Sequence, residues 1–305
     1  MNTQLPVYRL KEFCFPNAIA SYVIWACHRF AMSLSDVEGL LASQGIEVSS
    51  ENMAKGRAKN SYYSVSDWLS LHGFDGTAVK ETLLNIKIPH TPISFDDTKC
   101  PLQLSAEDAW ELASQAITDA LPKLSGDIEF VRDNCERVFD APEAEQPQTL
   151  DRGAKQVPFV SLCYQGTPAD VLCVAHEFGH ALQYHLVSDR FVPPVWREFA
   201  AFVAEKMLLG FIQKNRPDLY APFCAAWRND SKRYFGKDAK QLQDAMRVPT
   251  APYIYRINYP IARHLADQIF DASADYDLTE IFHGTFCHPA FLSIIQDRNE
   301  AYKYG

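Results

Sequence analysis

Two histidines and a glutamate lie close together in the segment VLCVAHEFGHALQYHL, residues 171–186. His176 and His180 are four residues apart, so in a helix both imidazoles project from one face and can share a tetrahedral metal ion. Glu177 points slightly aside, where its carboxylate can reach a metal-bound water but not the metal. The pattern is typical of a zinc site that activates water, and its alternative is a helix with a solvated charged face.

The residues around this motif favour the metal site. Gly179 is costly inside a helix unless another part of the chain must approach closely. The flanking residues are apolar or small, which predicts a buried helix, and buried ionisable groups require partners such as a metal ion. These flanking residues are Val171, Leu172, Val174, Ala175, Ala181 and Leu182.

A second predicted helix, WREFAAFVAEKMLLGFIQ at residues 196–213, offers a third ligand. Glu198 and Glu205 are seven residues apart and therefore face the same way. By spacing alone, Glu198 could orient a zinc-binding histidine or form a salt bridge with Arg197 or Arg233. The residue pattern leaves these roles open.

The segments before the motif predict how its helix begins. QVPFVSLCY, residues 156–164, is rich in β-branched and aromatic residues and predicts a strand. Thr167 then supplies an N-cap and Pro168 the first helical position. Further upstream, Ser105 predicts the N-cap of another helix, and the polar, proline-containing residues 140–155 predict a loop.

HEFGHALQ, in which His180 is followed after 24 intervening residues by the glutamate of FVAE, resembles the thimet oligopeptidase and oligoendopeptidase F family of zinc peptidases. The resemblance covers about residues 90–270. Three further segments carry it: ISFDDTKCPLQLSAEDAWELASQAI, GAKQVPFVSLCYQGTPADVLCVAHE and the tyrosine-rich APYIYRINYPIARHLA. It implies a mainly α (α+β) fold, a zincin-like helical metallopeptidase core with a small sheet.

The resemblance also implies a site. It assigns zinc to His176, His180 and Glu205, in preference to Glu198, and makes Glu177 the general base for hydrolysis of peptide bonds in short peptides. The strand at residues 158–164 would be an edge strand that binds the substrate backbone by strand addition.

The resemblance gives the tyrosines a role that spacing alone does not. Tyr255 and Tyr259 are four residues apart, so a helix would present both hydroxyls on one face. One of them, with Tyr255 the first choice, would donate to the developing oxyanion. By spacing alone, Tyr253, Tyr255 and Tyr259 predict amphipathic core packing.

The chain also departs from the family pattern. Members of the family are considerably longer and carry a large helical N-terminal portion that surrounds the peptide. Gln183 stands where members often have a histidine, and the histidine that precedes the tyrosine segment falls near Pro249 or Thr250. An alternative hypothesis is therefore a catalytically impaired or repurposed metal-binding fusion protein.

Residues 13–52 resemble the N-terminal helix-turn-helix segment of bacterial insertion-sequence transposases. The resemblance divides the chain into a short helical segment at 1–60 and a truncated catalytic domain at 61–305. Only Lys55, Arg57 and Lys59 form a basic cluster there, whereas phosphate binding needs a clustered basic face. We expect this segment to pack rather than bind DNA, and DNA binding is the third hypothesis.

The composition limits the cellular compartment and the kinds of partner that we expect for this protein. The net charge of −9 argues against a protein that coats nucleic acid or an anionic membrane. No apolar run approaches the length of a membrane span, and the N-terminus does not resemble a secretory signal. The eight cysteines are scattered without a Cys-x-x-Cys pair, which predicts reduced thiols. We therefore expect a cytoplasmic protein, and the family resemblance implies short peptides as its substrates.

Overall fold

The computed structural model describes residues 64–88, 102, 104–143, 146–152, 157–187, 192–248, 250–251, 253–271 and 277–284. The transposase-like segment and the predicted domain boundary near residue 60 lie outside these residues. The chain divides into two compact units, one formed by 1–80 with 241–257 and the other by 81–240 with 258–305. All residues of the predicted metal site belong to the second unit.

The first unit contains α1, Val65–His72, which begins and ends with recognisable caps. Ser64 and Asp67 form a reciprocal capping box at its start, and Gly73 ends it with a positive φ of 65°. The helix α2, Gly76–Asn85, begins in this unit. The unit also contains a 3-10 turn at Tyr255–Ile257.

The second unit is mostly helical. Its helix α3 starts at the predicted Ser105 cap, which forms a capping box with Asp108. The helices are α3 Ala106–Ala120, α4 Ser125–Asn134, α5 Pro168–Val187, α6 Pro194–Asn215, α7 Pro217–Arg233, α8 Ala239–Ala245, which runs on into the first unit, α9 Asn258–Asp271 and α10 Thr279–Phe282. A π-helical turn at Tyr234–Asp238 joins α7 to α8.

One small sheet accompanies these helices. Its strands are β1 Glu136–Val138, β2 Gln148–Leu150 and β3 Phe159–Ser161, in the spatial order β1-β3-β2. β3 pairs with β1 in parallel and with β2 antiparallel, with Thr149 opposite Val160. The predicted mainly helical fold with a small sheet is confirmed.

Two local predictions about this sheet were wrong. The strand expected at an edge, β3, is central, because both of its edges already form hydrogen bonds with neighbouring strands. The segment 140–155, expected to be a loop, contains β2. Three residues with only one apolar member carry too little alternation to indicate a strand, so tertiary pairing with β3 decides the conformation.

The helix α5 begins as predicted. Thr167 Oγ1 accepts a hydrogen bond from the Asp170 backbone N–H at 3.2 Å, and the Asp170 carboxylate accepts one from the Thr167 N–H at 2.9 Å. This reciprocal pair, followed by Pro168 at the first helical position, fixes where the helix starts. The register of every later residue in α5, including the two histidines, follows from that start.

Gly179 allows α5 and α6 to approach closely. A Cβ atom at Gly179 would lie 2.8 Å from Ala204 Cβ and 3.0 Å from Ala201 Cα. At these distances the contacting atoms of α6 would have to move, and one of the two, Ala201 Cα, is a backbone atom. The expectation that this glycine serves a close approach is confirmed, and the contact brings the glutamates of α6 beside the histidines of α5.

Gly179→Ala is expected to destabilise the protein even though alanine favours helix. The gain in helix propensity is about 1 kcal/mol. Overpacking against a rigid backbone costs about 1–3 kcal/mol, so we expect the free energy of unfolding to fall by about 1 kcal/mol. Urea denaturation measures this change.

Gly210→Ala on α6 is the matched control, because nothing lies within 4 Å of a Cβ at that position. Without a clash only the propensity term remains, and this variant should be slightly more stable than the wild type. Equal stabilisation by both substitutions would show that the helices do not need the close approach.

Candidate metal centre

The centre is built from two adjacent helices whose facing sides are buried. α5 contributes His176, Glu177 and His180, which are 9%, 2% and 4% exposed. α6 contributes Glu198 and Glu205, which are 0% and 5% exposed. Charged groups with so little access to water need compensating partners, because burying an unpaired charge is costly.

Three of these side chains converge on one point. His176 Nε2 lies 3.2 Å from Glu198 Oε2, and His180 Nε2 lies 3.8 Å from the same oxygen. One ligand atom from each of the three residues falls within 4.8 Å of the others. The two imidazole planes are nearly perpendicular, at 84°, so their nitrogens approach the point from different directions.

The two distances measured from Glu198 are close to those found around a small tetrahedral ion. Bonds of about 2.0–2.1 Å place the ligand atoms of a tetrahedral zinc about 3.4 Å apart. The distances of 3.2 and 3.8 Å from Glu198 Oε2 lie on either side of that value. Two imidazole nitrogens and one carboxylate oxygen also form a donor set that zinc commonly takes. The His176–His180–Glu198 group can therefore hold a metal ion.

Glu205 approaches His176 from the opposite side of the ring. Its Oε1 lies 2.7 Å from Nδ1 of His176, whereas the point of convergence lies at Nε2. The two nitrogens of an imidazole point in widely divergent directions, so one ion cannot bind at Nε2 and also reach a carboxylate seated on Nδ1. A carboxylate in this position can receive the Nδ1–H and orient the imidazole. The role of Glu205 as the third metal ligand stays a prediction.

The environment of His176 favours a positive charge. Burial alone lowers the pKa of His176, but hydrogen bonds with Glu198 and Glu205 and the negative charges of both carboxylates outweigh that effect and raise the pKa to about 10. In the metal-free protein the imidazolium donates to a carboxylate at each nitrogen. The site is therefore electrostatically suited to a cation.

Glu177 has one partner that the sequence did not indicate. Thr149 on β2 is 4% exposed, and its hydroxyl lies 2.7 Å from Glu177 Oε2, to which it donates a hydrogen bond. The same hydroxyl lies 3.1 Å from the Glu177 carbonyl oxygen. The central strand β3 positions β2, so the sheet fixes one oxygen of this carboxylate.

The two predicted tyrosines lie in consecutive elements of the chain, one in each unit. Tyr255 lies in the 3-10 turn, and Tyr259 lies in the first turn of α9. The ring of Tyr259 packs at 6.1 Å from Phe202, whose ring lies 5.1 Å from that of His176. Tyr259 therefore belongs to the aromatic layer behind the candidate metal centre. The catalytic roles of Tyr255 and Tyr259 stay predictions.

Two other polar residues of α5 have structural partners. His185, near the end of the helix, forms an ion pair with Asp127 at 3.1 Å and stacks on Phe130. Gln183, at the position where the family often has histidine, donates to the Ile281 carbonyl oxygen at 3.1 Å and so joins α5 to α10.

Sequence reasoning missed Thr149 and Arg263, both of which contact the centre. Arg263 on α9 is fully buried and donates to Glu205 Oε2 at 3.3 Å. In the sequence, Arg263 is only a charged residue among the apolar residues of an amphipathic helix. An arginine at the surface of such a helix gives the same pattern. Thr149 lies in a short segment without any periodic pattern.

Comparison with known proteins gives weak similarities. No protein-family model and no curated protein matches the chain. Among solved structures, a proposed peptidase from Chlamydophila abortus is 13% identical with a TM-score of 0.38, and the match covers 91% of this chain and 62% of that one. A proposed oligoendopeptidase F from Bacillus anthracis strain Ames is 15% identical with a TM-score of 0.41, covering 95% and 53%. The chain thus spans less than two thirds of each neighbour.

None of the helices in the described residues is long and apolar enough to cross a membrane.

Proposed function

We propose that this protein is a zinc-dependent peptidase that hydrolyses short peptides, with the ion held by His176, His180 and Glu198. The observation that carries the proposal is the buried convergence of two Nε2 atoms and one carboxylate oxygen. Glu177 is the neighbour of His176 in the same helix and is also buried. Glu198 takes the place of the Glu205 expected from the family resemblance, because it alone of the two lies on the Nε2 side of His176.

The three ligands leave room for chemistry at the ion. A zinc ion with three protein ligands keeps a fourth position open, acts as a Lewis acid and lowers the pKa of a bound water to about 7. Two imidazoles and one carboxylate favour zinc over harder ions, which prefer ligand sets made of oxygen.

Glu177 is the proposed general base. Its carboxylate accepts the proton of the attacking water and later donates that proton to the leaving amine. The Thr149 hydroxyl donates to Oε2 and so helps to fix the orientation of this carboxylate.

The outer strand β2 is the proposed substrate edge. Within the described sheet, β2 pairs on one side with β3 and has its other edge outward. An extended peptide that adds to this edge would run beside Thr149, and Thr149 contacts the proposed base. Strand addition is thus retained from the sequence prediction, but it moves from β3 to β2.

The tyrosine segment completes the proposal. A hydroxyl from Tyr255 or Tyr259 would donate to the oxyanion that develops on the peptide carbonyl. Tyr259 is the better supported of the two, because its ring packs on the same aromatic residue, Phe202, that packs on His176.

The test combines metal content with peptide cleavage. We expect the purified full chain to bind one zinc per molecule and to cleave members of a quenched fluorescent peptide library. Removal of the metal with a chelator should abolish cleavage, and stoichiometric zinc should restore it. Zinc binding without any cleavage would support the alternative of a repurposed metal-binding protein, and a folded protein that binds no zinc would refute the metal site.

A further inference from the structure

Arg263 is a completely buried charge near the metal centre. It is 0% exposed, and its guanidinium lies 3.0 Å from the centre of the Trp227 ring. Nη2 donates to the Trp227 carbonyl oxygen at 2.7 Å and to Ser231 Oγ at 3.1 Å. These contacts hold the planar group between α7 and α9 and leave Nη1 directed at Glu205, 3.3 Å from Oε2.

Glu205 transmits this contact to the metal ligand. One of its oxygens accepts from Arg263 and the other lies 2.7 Å from His176 Nδ1. The carboxylate is therefore a bridge between a fixed guanidinium and the imidazole. A carboxylate that accepts the Nδ1–H keeps the proton on that nitrogen and directs the Nε2 lone pair outward, toward Glu198 and His180.

Among the described residues, Arg263 forms no hydrogen bond with His176, His180 or Glu198, so it would act through Glu205. We propose that Arg263 is a positioning residue: through the bridging carboxylate of Glu205 it fixes the orientation and tautomer of His176 and thereby sets the affinity for the metal ion. The inference rests on the proposed metal site. It connects α7 and α9, which hold the guanidinium, to the ligand on α5.

The experiment measures zinc affinity by competition with a chromophoric chelator, without using peptide hydrolysis. Groups that orient metal ligands typically contribute about 10–100-fold to metal affinity. We expect Glu205→Gln to weaken zinc binding within that range and Arg263→Met to weaken it by about tenfold. Because Arg263 acts through Glu205, the substitution Arg263→Met should have an effect of less than about threefold when Glu205→Gln is already present.

Two further variants separate positioning from a general loss of packing. Arg263→Lys keeps the charge but loses the planar fork, so its zinc affinity should lie between those of the wild type and Arg263→Met. Arg216→Lys, at the residue before α7, is the control, because Arg216 forms an exposed ion pair with Asp218. Its zinc affinity should equal that of the wild type. Thermal unfolding of each metal-free variant establishes that it is folded, and Arg263→Lys decides the matter if Arg263→Met does not fold.

The outcomes distinguish this inference from the proposed function. Folded Arg263 variants that bind zinc as tightly as the wild type would overturn the inference while leaving the peptidase proposal intact. So would a loss that is fully additive with that of Glu205→Gln. A wild-type protein that binds zinc but cleaves no peptide would refute the peptidase proposal, and the affinities would still decide the role of Arg263.

Discussion

Glu177→Gln is expected to keep its zinc and to lose peptide hydrolysis almost entirely. The amide has the shape of the carboxylate, and its oxygen can still accept the hydrogen bond from Thr149, so the three ligands are undisturbed. The glutamine amide is not basic enough to accept the proton of the attacking water. General acid–base catalysis contributes about 10²–10⁴-fold, and we expect kcat to fall by that factor.

The measurement compares kcat on one cleaved library peptide with the zinc content of the same sample. Glu177→Asp is the companion variant, because it retains a base whose carboxylate is withdrawn by one methylene. Its activity should lie between those of the wild type and Glu177→Gln. If Glu177→Gln holds one zinc and cleaves at the wild-type rate, another group is the base.

The second large effect separates Glu198 from Glu205, which lie on the same helix and are both buried. Glu198→Gln is expected to weaken zinc binding by more than the roughly 100-fold that marks the upper end for groups that only orient ligands. Glu205→Gln should remain within about 10–100-fold, because its partner is Nδ1 of His176. Each variant serves as the matched control for the other.

Zinc affinity and zinc stoichiometry of both variants, measured at one pH, decide the ranking. Glu198→Gln should be isolated largely without zinc, whereas Glu205→Gln should bind one equivalent when zinc is supplied. The reverse order would return Glu205 to the role of third ligand that the family resemblance implied. Equal losses would mean that the two carboxylates act on the ion as a unit.

The helical framework could be predicted from local patterns. Ser105 and Thr167 were expected as N-caps, and both accept the hydrogen bonds that define the start of α3 and α5. Caps are predictable because a side chain and a backbone N–H only three residues apart interact without help from the rest of the fold. The position of β3 within the sheet could not be predicted in this way, because it depends on strands from elsewhere in the chain.

The residues of the candidate site likewise include some that local spacing could predict and others that it could not. The sequence by itself determined that His176, His180 and Glu177 share one helix with zinc-site spacing, since 3.6 residues per turn fixes their relative directions. It also indicated a close approach at Gly179, which the packing against Ala201 and Ala204 confirms.

Only the tertiary structure decided which partner each group meets. Glu198 and Glu205 share a face of α6 but are about 10 Å apart along its axis, given a rise of 1.5 Å per residue. The packing of α5 against α6 and the rotamer of His176 then place Nε2 beside the Glu198 carboxylate and Nδ1 beside the Glu205 carboxylate. Thr149 and Arg263 join the site from a strand and a helix that are distant in sequence. Local spacing carries no information on such long-range contacts, because they are set by how the elements pack.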